Sequence, residues 1–295
     1  MRPRCTARLT LGALLGTLGV LMAPLLWAPV LAAAGPADPP IPAGRNPGGF
    51  PVAVIGDGFD YTQRPLAQML ARDGEGEIIG YDFIDDDRQP FGTGPDTDAA
   101  GIVIGEGQAA TVVAIRADVR QIVSLTRAIG YATQSPASII AILAPISTRE
   151  VATVIAAAAR KFPRHLFILE AGDDGLDLDA QSPAHIAPEN VVVVTSADAQ
   201  GALTPSANSG SSTVDLAVTT SGVWDRSNTT PAASPSKTAV ARITALAARL
   251  RAVEPEVTVA ELKSRIMALA AASPGKANTT RGGWIADPRR HFWLE

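Results

Sequence analysis

Apolar positions follow two rhythms along this chain. Short unbroken runs occur at Phe50–Ile55, Thr111–Ile115, Ser138–Leu143, Leu166–Leu169, Val191–Thr195 and Val214–Val218. Runs this short and this apolar read as buried strands. Between them the spacing lengthens to three and four. Leu66, Met69 and Leu70 mark a helix over Arg64–Arg72, and Ile122, Leu125 and Ile129 mark an amphipathic helix over Val119–Tyr131. Pro95 opens a helix reaching Gly105, with Asp96 and Asp98 in its first turn. Ser147 with Glu150 gives a capping box for a helix to Lys161, and Thr258 with Glu261 gives another. From Thr238 the chain turns helical, with Ile243, Leu246 and Leu250 in register and then Leu262, Ile266 and Leu269. The tail beyond Ser273 is expected to pack on the surface. Strands alternating with helices of this length predict an α/β fold, a mostly parallel sheet with helices on both faces.

The first strand ends on Gly56-Asp57-Gly58. Glycine permits a sharp turn there, and Asp57 stands at the strand's carboxyl end, where open α/β sheets place their chemistry. An ordinary Asp-Gly turn is the plainer reading of the same residues.

Composition changes the picture at the N-terminus. Arg2, Arg4 and Arg8 precede an apolar stretch from Leu9 to Leu31, which closes on Ala32-Ala33-Ala34. This predicts a signal peptide over residues 1–34. An uncleaved membrane anchor is the alternative, since the stretch is long enough to span. Pro24, Pro29 and the alanine end favour cleavage, giving a secreted or periplasmic protein. Residues 35–49, rich in Pro, Gly and Ala, read as a flexible linker to a domain over 50–295. The single cysteine, Cys5, lies in the segment expected to be removed, so the mature chain has no thiol chemistry. A formal net charge of −4 and the lack of a basic stripe exclude nucleic acid as the expected partner.

With the elements placed, several blocks in order resemble the subtilisin family of serine peptidases, from about Phe50 to Ala272. Val52-Ala53-Val54-Ile55 with Gly58 and Asp60-Tyr61-Thr62 resembles the strand and loop that carry the family's aspartate. Gly80-Tyr81-Asp82-Phe83 with Asp85-Asp86 resembles the segment before its histidine block, and Gly94, Thr97 and Ala100-Gly101-Ile102 resemble the histidine helix. Ala171-Gly172 with Asp174-Gly175 is similar to the oxyanion segment. Val214-Asp215-Leu216-Ala217 is similar to the strand before the nucleophile, and Val240-Ala241 to the helix after it.

The resemblance implies a subtilisin-like fold and a secreted serine endopeptidase ancestry, but its triad is not intact. Gly56 falls at the aspartate position, with Asp57 displaced by one. Pro95 falls at the histidine position. Asp173 replaces the oxyanion asparagine. Ser234 falls at the serine position, with Ala232-Ala233 where Gly-Thr is expected and Thr238 where a proline is expected. Nucleophile, base and orienting carboxylate act as a unit, so the expectation is a degenerate, weakly or non-proteolytic member that binds an extended peptide or protein partner. The alternative is an active endopeptidase with a rearranged or acid-active serine–carboxylate set, for which Asp173 at the oxyanion position is the motivating residue. His165, His185 and His291 read as structural or surface histidines rather than as a relocated base. No cofactor is expected. The Asp85-Asp86-Asp87 run admits calcium, as family members often bind it, although a solvated acidic turn is the simpler reading.

Overall fold

The computed structural model describes residues 38–146, 148–181, 188–221, 233–271 and 279–292. Eight strands form one sheet: β1 (Phe50–Gly56), β2 (Tyr81–Asp82), β3 (Ala110–Arg116), β4 (Ile139–Pro145), β5 (Leu166–Glu170), β6 (Val191–Ala197), β7 (Leu216–Thr219) and β8 (Trp284–Ile285). Their order across the sheet is β2-β3-β1-β4-β5-β6-β7-β8, and every pairing is parallel.

The strands are apolar throughout because both faces are covered. Along β1, Val52 and Val54 join one core while Ala53 and Ile55 join the other. The first core is closed by α1 (Arg64–Met69), α2 (Asp96–Gly107), α6 (Pro235–Val253) and α7 (Val259–Ala268). The second is closed by α3 (Ile122–Gln134) and α4 (Arg149–Lys161), with Leu178 from the short α5 (Leu178–Gln181). Helix α6 is buried along almost its whole length, from Ser236 to Arg249. At 19 residues it is the longest helix among the described residues, and its first turn lies where strands β1 and β5 end.

Several local expectations change. The helix predicted from Val119 starts at Ile122, because Asp118 and Gln121 form a turn ahead of it, with Gln121 N–H donating to the Asp118 carbonyl. Helix α4 is capped by Thr148, whose hydroxyl accepts from Val151 N–H, rather than by Ser147, which lies outside the described residues. The Thr258–Glu261 capping box is present in full. The tail does more than lie on the surface: Trp284–Ile285 adds the eighth strand beside β7, and Ile285 is fully buried. Residues 38–49 contain no helix or strand over 38–48 and are held at two points, Pro39 carbonyl by Tyr61 Oη and Pro42 carbonyl by Arg72.

Candidate functional site

The sheet changes direction at β1, which has β3 on one side and β4 on the other. Ligands in open α/β sheets bind beyond the carboxyl ends of the strands near such a point. Here that end gathers Asp57 after β1, the start of α2, Glu170 and the turn after β5, and the start of α6.

Asp57 is exposed, and its backbone N–H donates to Asp96 Oδ2 at 2.6 Å. Asp96 is the first residue of α2, behind its N-cap Pro95, which supplies no side-chain cap. The Asp96 carboxylate lies so close to β1 that a Cβ placed on Gly56 would sit 2.3 Å from its Oδ2. Gly56 is therefore required to be glycine while Asp96 keeps this position. The other oxygen, Asp96 Oδ1, is ion-paired with Lys237 Nζ at 2.5 Å. Burial raises the Asp96 pKa against the attraction of Lys237. Burial alone would lower the Lys237 pKa, but the Asp96 carboxylate more than offsets this and raises it. Lys237 is thus held as an ammonium and is not a free base.

Ser234 is the N-cap of α6, and its hydroxyl accepts from Lys237 N–H at 3.4 Å. The group placed among acids is Ser236, two residues on. Its Oγ lies 2.9 Å from Glu170 Oε2 and 2.7 Å from Asp173 Oδ2, and its N–H donates to Asp173 Oδ2 at 3.1 Å. Ser236 is 1% exposed and Glu170 2%. Burial pushes the Glu170 pKa up to about 7, with Lys237 and the Ser236 hydroxyl pulling the other way. The other Asp173 oxygen, Oδ1, is buried without a hydrogen-bond partner. The turn carrying Asp173 needs Gly172 at φ +103°, where a side chain would be strained and would also meet Asn208.

The sequence-derived positions Asp57, Pro95, Asp173 and Ser234 therefore do come to one end of the sheet. The side chains in mutual contact, however, are Asp96, Glu170, Asp173, Ser236 and Lys237. Two signals mark the missed ones: Glu170 closes an otherwise apolar run, and Ser236-Lys237 lies in the first turn of a helix whose later positions are mostly apolar. His165 precedes β5, at the opposite end of the strand from Glu170. Burial lowers its pKa, and its Nδ1 has no partner. His185 lies outside the described residues, as does the His291 side chain.

Two other features border this end. A depression of about 540 Å³ beside Asp57 is lined by Phe83, Ile84, Asp118, Arg120, Gln121 and Ser124. Near it, carboxylate oxygens of Asp38, Asp82 and Asp85 approach one another within 4.8 Å. The Arg116 guanidinium lies 2.7 Å from Asp82 and 2.5 Å from Asp85, and Asp86 pairs with Arg127. A cation of the protein's own thus already pairs with two of these three carboxylates.

No family model and no curated relative matches this sequence. Solved structures do. A cold-adapted subtilisin-like serine proteinase is 19% identical, with a TM-score of 0.63 over 83% of this chain and 93% of its own. The A-subunit of the AB5 toxin from E. coli is 17% identical, with a TM-score of 0.62 over 81% and 90%. MycP1 with its N-terminal propeptide removed is 19% identical, with a TM-score of 0.60 over 83% and 90%. The chain has the subtilisin-like fold.

Proposed function

We propose that this chain is an exported, subtilisin-fold protein that does not cleave peptide bonds by the serine–histidine–aspartate route, and that it holds an extended polypeptide at the depression beside Asp57. One observation carries the first part. Where a triad would stand, Ser236 is closed onto two carboxylates and Lys237 is closed onto Asp96. No imidazole contacts Ser234 or Ser236 among the described residues. A serine without a positioned base is a poor nucleophile, and a carboxylate at position 173 would repel a developing oxyanion that an amide would stabilise.

The binding role is supported by the depression, whose walls combine the half-exposed Ile84 with Asp118, Arg120, Gln121 and Ser124. Export rests on residues 1–34, which lie outside the described residues. No helix among those described is long and apolar enough to cross a membrane. The competing reading, an acid-active serine–carboxylate peptidase, is favoured by Glu170 beside Ser236, since a carboxyl of raised pKa is a candidate base.

The test is labelling with a fluorophosphonate probe at neutral and at acid pH, in the wild type, Ser234→Ala and Ser236→Ala. The expected result is no labelling and no casein cleavage in any of the three. Stoichiometric labelling lost on one substitution would overturn the non-proteolytic reading, and labelling confined to acid pH would establish the serine–carboxylate one. Labelled casein should bind without being cut, and more weakly when Gln121→Trp fills the depression.

A further inference from the structure

Ser236 has one hydroxyl proton, yet two carboxyl oxygens lie within hydrogen-bond distance of its Oγ, at 2.9 Å and 2.7 Å. A hydroxyl donates once. With both acids ionised, one of these contacts would set lone pair against lone pair where Ser236 and Glu170 are almost fully buried. The contacts close only if one carboxyl brings a proton of its own. Asp173 Oδ2 also accepts the Ser236 N–H at the first turn of a 19-residue helix, where backbone N–H groups favour negative charge. Glu170 has no such donor and is the more buried of the two.

We propose that Glu170 is held as the neutral acid, donating to Ser236 Oγ while Ser236 donates to Asp173, and that this shared proton is a pH-operated latch tying the first turn of α6 to the end of β5. When Glu170 ionises, one hydroxyl proton is left for two anions, and the turn holding Ser236, Lys237 and Thr238 is released. The charged groups facing Glu170 are Lys237 from α6, Asp173 from its own turn and Asp96 from α2. Lys237 favours ionisation but is already paired with Asp96 at 2.5 Å, while Asp96 and Asp173 oppose it. The balance leaves the Glu170 pKa at about 7, within the range an exported protein meets.

The latch rests on reading this end as a closed network, but it fails separately from the non-proteolytic reading. In the full chain, ¹³C NMR of labelled glutamate side chains should find one carboxyl with a midpoint near neutrality, absent in Glu170→Gln. Amide hydrogen exchange at Ser236, Lys237 and Thr238, corrected for intrinsic rates, should rise about tenfold or more as pH passes from acid to alkaline of that midpoint. The same rise should be missing in Glu170→Gln. If every glutamate titrates in the ordinary carboxylate range, or if protection of this turn is independent of pH, or if Glu170→Gln keeps the rise, the latch is wrong. The wild-type titration alone decides should the variant fail to fold. Fluorophosphonate labelling would sink the non-proteolytic reading and leave these results untouched.

Discussion

Helix α6 carries a buried polar network at its first turn and another further along. At the first turn, a hydroxyl and an ammonium face three acids, Asp96, Glu170 and Asp173. Further along, Arg242 spends each guanidinium nitrogen on a separate acceptor: Nε on Glu106, Nη1 on the Thr219 carbonyl and Nη2 on Asp287. Arg249 adds bonds to the carbonyls of Glu106 and Pro288. The second network is closed by a group that never gives up its proton. Burial pushes its Asp287 carboxyl up, but bonding to Arg289 outweighs this and holds it below the usual carboxylate range, so the network is expected to loosen only in acid. The first is short of protons and contains Glu170, whose pKa burial pushes up to about 7. Two clusters of similar burial on one helix thus divide into a fixed brace and an adjustable one.

The largest way to break that contrast is Arg242→Ala. Removing the guanidinium strands Glu106 and the Thr219 carbonyl in the interior, and a loss of about 3–5 kcal/mol is expected in urea unfolding. A loss under about 1 kcal/mol would mean that this network braces nothing.

Next is Glu170→Gln. The folded protein holds the Glu170 proton up to about pH 7, against an ordinary 4.5. Between those values it binds more protons than the unfolded chain, so this group makes stability fall as pH rises from 4.5 to about 7, and contributes no further change above that. The fall is on the order of 3 kcal/mol. The glutamine variant should lack it, so the difference between the two stability curves isolates the first network. Parallel curves would refute the assignment.

A smaller effect sharpens the geometry. Gly56→Ala places a Cβ against Asp96 Oδ2 and should cost about 1–3 kcal/mol in thermal unfolding. In an Asp96→Gly background most of that cost should vanish, because the two positions compete for one space. Equal costs in both backgrounds would show that the crowding lies elsewhere.

The sheet was legible because burial on both faces leaves strands as plain apolar runs, and β1, β3, β4, β5 and β6 coincide closely with such runs. The two-residue strands Tyr81–Asp82 and Trp284–Ile285 were not, since an edge strand that short has no pattern of its own and exists through its neighbour. At the site, position was readable but contact was not. Ser234, Asp57, Pro95 and Asp173 reach the right end of the sheet, yet Ser236 lies one half-turn on and is the serine that meets acids. Counting back from Val240-Ala241 along a family pattern places Ser234, and such counting says which residues lie in the first turn of the helix but not which side chain meets which. The cap of α4 falls on Thr148 rather than Ser147 because a helix start is fixed by sequence only to within a residue or two.

Helix α6 packs against β1, β3, β4, β5, β6 and β7, all of which precede it in the chain. The opposite face has a different history: α3 and α4 stand between the strands they cover and can settle as those strands appear. During synthesis, therefore, one side of the sheet closes progressively, while the other, beyond the part that α1 and α2 cover, stays apolar and uncovered until residue 253 has been made. Contacts so distant along the chain form slowly, and an exposed apolar face invites association meanwhile. The element that completes the interior is among the last to exist, so this face of the sheet closes late.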